Sequence, residues 1–171
     1  METSSTIKDR IRGFFKSPLR LFVAIMITNL AGVIGSIFTI TGPGSGYASL
    51  AKPLFNPPGF IFALVWTTLY TLMGISLYLV WMDALSGKKV KIAVIFFGIQ
   101  LCLNVLWSFL FFALHSPFLG LVEILVLWVS IAGMTFFFHR VNRSAAYLLV
   151  PYILWVTFAA YLNYAIWALN G

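Results

Sequence analysis

Five separate stretches of this chain, at about 21–41, 59–82, 92–114, 117–138 and 144–169, are apolar and long enough to cross a bilayer. A hydrocarbon core of about 30 Å takes about 20 helical residues to span, and within it each backbone polar group must be satisfied by its own segment. With 61% hydrophobic and only 9% charged residues, the chain has too little polar surface to face water on all sides. The sequence therefore predicts an all-α membrane protein, a five-helix transmembrane bundle over residues 21–171. The connections at 83–91, 115–117 and 139–143 are short, which makes neighbouring helices antiparallel, whereas the first loop, 42–58, is long.

The charge pattern orients the bundle. Lys8, Arg10, Arg12, Lys16 and Arg20 precede the first helix, Lys88, Lys89 and Lys91 follow the second, and Arg140 and Arg143 follow the fourth. Only Lys52 falls on the other side. Positive charge marks the cytoplasmic face, so the basic tail 1–20 is expected in the cytoplasm and the C-terminus outside, in a membrane such as a prokaryotic plasma membrane. The apolar run after the tail is too long for a signal-peptide core and is read as a retained helix. The tail alternates cations with Ile, Phe and Leu, which suits a lipid surface. Nucleic-acid binding is set aside, because the cations hug membrane ends with no soluble domain to carry them. The single cysteine, Cys102, excludes an internal disulfide.

The first loop reads GPGSGYASLAKPLFNPP. Its glycines and prolines exclude a long helix, and no Lys-Ser/Thr follows Gly46, so it is not a phosphate loop. Asn56 is expected to cap the second helix, with Pro57 and Pro58 in its first turn. His115 and His139 lie on opposite predicted sides without acidic partners, which gives neither a catalytic triad nor a metal site. No cofactor is required.

Polar residues inside the spans recur at helical spacing. Gln100, Asn104 and Ser108 share one face of the third span with Trp107 beside them; the fifth carries Trp155, Ala159, Asn163 and Trp167, the second Phe62, Trp66, Tyr70, Gly74 and Tyr78. Amides facing lipid are costly, so these faces turn toward neighbours or a cavity, as interhelical glue or as the polar anchors of a site. Trp66, Trp107 and Trp155 lie too far from the helix ends to be interfacial and would wall a pocket for a planar apolar ligand. Ala24, Thr28, Gly32 and Ser36 form a small-residue face on the first span, expected to pack closely. Glu123, the one charged residue within a span, is by default a candidate site residue.

The stretches GVIGSIFT, GYASLAKPLFNPPGFIFALVWTTLYTLMG, QLCLNVLWSFLFF, GLVEILVL and VPYILWVTFAAYLN are similar to those of the tryptophan-rich sensory protein and peripheral-type benzodiazepine receptor family, also called translocator proteins. The resemblance covers about residues 25–168. It implies a five-helix bundle, often a homodimer, that binds porphyrins or other tetrapyrroles, sterols or synthetic ligands beneath the first loop. Carried over by position, the pocket includes Tyr47, Trp66, Asn104, Trp107, Trp155 and Ala159, with Gln100 and Ser108 on the same face as Asn104. Pro53, Pro57 and Pro58 would shape the mouth, and Lys52 would face the propionates of a porphyrin. Animal members carry a Leu/Val, Tyr, Lys/Arg pattern near the C-terminus; no basic residue follows Tyr152, Tyr161 or Tyr164, which argues against a sterol as the ligand. The function implied is a tetrapyrrole sensor, carrier or scavenger in stress or light responses. The alternatives are light-dependent porphyrin breakdown relayed by Trp66 and Trp155, and a sterol- or lipid-binding membrane protein.

Overall fold

A computed structural model describes residues 17–83 and 88–171. Residues 1–16 of the basic tail and 84–87 of the second connection lie outside the described residues, and with them most of the segment expected to lie on lipid. The described elements are α1 (Pro18–Phe38), α2 (Gly46–Ser49), α3 (Gly59–Asp83), α4 (Lys88–Ser108), a π-helical turn (Phe109–Ala113) that continues α4, α5 (Pro117–Val141), α6 (Arg143–Leu148) and α7 (Val150–Asn170). Five spans are long and apolar enough to cross a membrane: Pro18–Phe38, Gly59–Met82, Val90–Ala113, Pro117–Val141 and Arg143–Asn170. The chain is an integral, multi-pass membrane protein of the all-helical kind.

Packing follows from which faces are apolar and smooth. On α5, Ile124, Leu127, Ile131, Met134 and Phe138 recur every three or four residues and are at most 1% exposed, so α5 forms the centre of the bundle against α4 and α7. α1 packs chiefly on α3 and also on α4. The α1–α3 contact is closest at Gly74, where an added Cβ would stand 2.6 Å from the Ile25 Cα and 2.9 Å from the Thr28 hydroxyl. Only glycine permits that backbone approach. At the same end Arg20 lies over Trp81, 5.7 Å from the ring centroid, and brings the start of α1 to the end of α3.

Helix ends depart from the sequence reading in four places. α1 begins at Pro18, where a missing N–H costs nothing, and stops at Phe38, so Pro18 to Arg20 of the expected tail are already helical. α3 starts at Gly59, after both prolines, and the Asn56 side chain donates to Pro57 O instead of capping the helix. The third span ends in a π-helical turn in which Leu114 N donates to Phe109 O. The fifth span is two helices, α6 and α7, divided at Leu149; Pro151 has no N–H to give to Tyr147 O, and the ladder resumes with Ile153 N on Leu149 O.

Candidate ligand cavity

From Gly74 toward the first loop α1 and α3 diverge, and the space between them and α4 is a cavity of about 700 Å³. Asn29, Gly32, Val33 and Ser36 of α1 form one wall, Phe62, Trp66, Thr67 and Tyr70 of α3 the second, and Asn104, Trp107 and Ser108 of α4 the third. Tyr70 is the floor: its ring lies over Gly32, where an added Cβ would stand 2.5 Å from a ring carbon. The small-residue face of α1 is thus split in function. Ala24 and Thr28 are fully buried in helix contact, whereas Gly32 and Ser36 open onto the cavity.

Beneath the floor the amides predicted from spacing form one network. Tyr70 donates its hydroxyl proton to Asn104 Oδ1, Asn104 Nδ2 donates to the Tyr152 hydroxyl at 2.9 Å, and that hydroxyl donates to Gln100 Oε1 at 2.9 Å. Three helices, α3, α4 and α7, are joined by a chain of buried bonds in which the donors and acceptors satisfy one another. Trp107 is held separately, its Nε1 donating to Asn163 Oδ1 at 3.1 Å while its ring stacks on Phe111 with centroids 5.2 Å apart. Asn163 in turn donates to Pro117 O at 2.7 Å. The indole N–H is therefore spent outside the cavity, and what Trp107 offers a ligand is its ring. Trp66 stacks on Tyr70 at 5.6 Å, so the second wall is also a flat aromatic surface.

The first loop is the roof. Ser45 accepts from Ala48 N and starts the one-turn α2, which carries Tyr47 inward against Phe111 and Phe112, with centroids 6.1 and 5.2 Å away. The Tyr47 hydroxyl donates to Asn56 Oδ1 at 3.4 Å, and burial raises its pKa above the ordinary phenol value. Gly46 sits against the His115 ring, with no room for a Cβ between them. The far end of the loop is fastened by Asn170, whose Oδ1 accepts from Ala51 N at 2.9 Å and whose Nδ2 donates to Ala51 O at 3.0 Å. Phe55 stacks on Tyr161 at 5.3 Å.

Of the residues expected at the pocket, Tyr47, Trp66, Asn104, Trp107 and Ser108 line the cavity, as do Pro57 and Pro58. The others lie elsewhere. Trp155 is half-buried on α7 behind Phe62, 5.6 Å from it and edge-on, and borders a separate apolar groove of about 520 Å³ between α3 and α7. Ala159 is 4% exposed in the bundle core, and Gln100 lies in the network below the floor. Glu123 is buried on α5, with neither carboxyl oxygen hydrogen-bonded among the described residues, and does not line the cavity. Pro53 turns the loop, accepting from Asn56 N at 3.0 Å. The Lys52 ammonium donates to Leu50 O at 3.1 Å and Ala48 O at 3.4 Å and lies 4.6 Å over the Tyr47 ring. Its charge serves the roof, and no cationic side chain lines the cavity among the described residues.

Tyr70 lines the cavity on the face it shares with Phe62 and Trp66, whereas Asn29 and Phe112, which also line it, have no place in the sequence reading. The available signal was Asn29, an amide inside the apolar first span, three residues from Gly32 and seven from Ser36 on one helical face.

The match to a family model described as TspO/MBR family covers residues 24–168. The chain is 42% identical over 155 residues to the tryptophan-rich protein TspO of Chlorobaculum tepidum, covering 91% of this chain and 98% of that one. It is 40% identical to the protein of the same name from Archaeoglobus fulgidus, covering 90% and 98% of the two chains. The translocator protein of Bos taurus is 37% identical, with 85% and 86% covered. On sequence match and on its five-span helical architecture, the chain belongs to the TspO/MBR family.

Proposed function

We propose that the protein is a membrane receptor or carrier for a planar, largely apolar ligand of the tetrapyrrole class, held in the cavity under the first loop. The observation that carries this reading is the composition of the cavity: Trp66, Trp107, Tyr47, Phe62 and Phe112 offer ring surface, while Asn29, Asn104, Ser108 and Asn56 offer a few neutral hydrogen-bonding groups. Apolar walls with sparse polar anchors, in a volume within about 300–1,000 Å³, are the usual make-up of a small-molecule site. The absence of a cationic lining residue among those described means that a porphyrin's propionates stay at the mouth while its ring enters.

Light-dependent breakdown of the ligand is the weaker reading, since Trp66 reaches the cavity but Trp155 stands behind Phe62. The described cations Arg20, Lys91, Arg140 and Arg143 lie at helix ends opposite to Lys52, which supports a cytoplasmic N-terminus, as in a prokaryotic plasma membrane. A homodimer would use the exposed face of α4, where Gly98 has open space beside it and Cys102 is exposed one turn on; oxidative cross-linking through Cys102 in membranes would detect it, and a chain that stays monomeric would refute it.

The test of ligand class is the absorption spectrum of the purified protein mixed with protoporphyrin. A saturable, red-shifted porphyrin band at one equivalent per cavity supports the reading. A spectrum identical to porphyrin in empty detergent overturns it.

A further inference from the structure

We infer that the cavity is filled sideways from the bilayer, through the seam between α1 and α3, so that the ligand is one already dissolved in the membrane. This rests on the ligand-binding reading above and adds the route and the physical state of the ligand.

The two candidate routes differ in what must break. The roof is fastened to the bundle at several points: both bonds of Asn170 to Ala51, the Phe55–Tyr161 stack, the seat of Gly46 on His115, and the Tyr47 ring on Phe112. Lifting it breaks hydrogen bonds and exposes aromatic surface to water. The seam has no such fastenings. Its polar side chains bond back to their own helices, Asn29 Nδ2 to Ile25 O at 2.9 Å, Ser36 to Val33 O at 2.7 Å and Thr67 to Ala63 O at 2.8 Å. Among the described residues, no side-chain hydrogen bond joins α1 to α3 on the loop side of Gly74. Parting the seam exchanges side-chain contacts for contacts with lipid tails, which are equally apolar, so it carries little hydrophobic cost.

The seam is also already open at the surface. Val33 lines the cavity and is 59% exposed on the outside of the bundle, between Leu30 and Ile37, which are likewise exposed. Across from it, Ala63 and Thr67 line the cavity and are exposed beside Leu64. Thr67, the deepest of the exposed cavity-lining residues of α3, lies eight residues beyond Gly59, about 12 Å at the helical rise of about 1.5 Å per residue. The opening therefore reaches about 12 Å along a span that crosses a hydrocarbon core of about 30 Å, at the depth of acyl chains and not of headgroups. A ligand arriving there enters with its apolar edge leading, and its charged groups trail toward the loop end. A strictly water-soluble planar anion has no such path.

The experiment is rapid mixing of the full chain in phosphatidylcholine vesicles with vesicles loaded with protoporphyrin, following tryptophan quenching in wild type, Val33→Trp, Val33→Ala and Asn170→Ala. Narrowing the seam with Val33→Trp should slow association, and widening it with Val33→Ala should speed it, each by about threefold or more and each by more than Asn170→Ala changes it. Val33→Ala keeps the test decisive if the tryptophan variant folds poorly. Association that quickens several-fold in Asn170→Ala and stays at the wild-type rate in Val33→Ala would overturn the lateral route in favour of the roof. Wild type that shows no saturable quenching at all would sink the ligand reading itself, a result distinct from any ordering of the rates.

Discussion

Tyr70 of α3 donates its hydroxyl proton to Asn104 of α4 directly under the cavity, and the floor of the site is thereby also a joint of the bundle. Tyr70→Phe removes one donor and should cost about 0.5–1.5 kcal/mol of stability. Asn104→Leu leaves both Tyr70 and Tyr152 hydroxyls short of a partner and should cost more, about 1–3 kcal/mol. Thermal melts in detergent, read by circular dichroism, should rank wild type above Tyr70→Phe and Tyr70→Phe above Asn104→Leu. Equal melting of all three would show that the network contributes nothing to folding.

Gly74 and Gly32 are both places where a methyl group has no room, but the obstacles differ. At Gly74 the added carbon meets the Ile25 backbone, so Gly74→Ala must push α1 away from α3, at about 1–3 kcal/mol. At Gly32 it meets the Tyr70 ring, which can shift, so Gly32→Ala should weaken ligand binding more than it weakens the fold. Comparing melting temperature with protoporphyrin affinity for the two variants checks the contrast. A Gly74→Ala protein as stable as wild type would contradict the close approach.

The five spans were legible because length and apolarity alone decide them. The polar network was half legible: spacing placed Gln100 and Asn104 on one inward face, but their partners Tyr70 and Tyr152 come from other helices, and no local pattern pairs them. Trp155 shows the same limit. Its depth within a span is visible in the sequence, yet whether it faces the cavity or stands behind Phe62 depends on the rotation of α7, which packing sets. The π-helical turn at Phe109–Ala113 had no sequence signal, whereas Pro151 carries the signal for the break between α6 and α7 that the reading of 144–169 as one span leaves out.

His115 has a positive φ of 51° and presents its ring to Gly46, which holds the roof helix in place. Gly46→Ala should displace α2 and Tyr47 and weaken ligand binding. If the ring is the obstacle, His115→Ala should relieve that loss, so that the double variant binds better than Gly46→Ala alone. A double-mutant cycle with coupling of at least about 0.5 kcal/mol is expected, and additive losses would rule the contact out.

Lys52 was expected to meet ligand carboxylates, and the structure ties its ammonium to Leu50 O, Ala48 O and the Tyr47 ring. Lys52→Met should therefore lower affinity modestly, about threefold, through a loosened roof, in line with the about 0.5–1 kcal/mol of an exposed cation–π contact. The loss should be the same in low and high salt. A loss confined to low salt would restore the charge-attraction account.

On the function proposed above, a planar ligand lies against Trp66 under the first loop. Titration of protoporphyrin into the purified protein, followed by tryptophan fluorescence, tests it in wild type, Trp66→Ala and Trp155→Phe. Expected are saturable quenching in wild type, affinity about tenfold weaker in Trp66→Ala, a difference of about 1.4 kcal/mol, and affinity within about twofold of wild type in Trp155→Phe. Linear, unsaturable quenching in wild type, or equal affinity in wild type and Trp66→Ala, would contradict it.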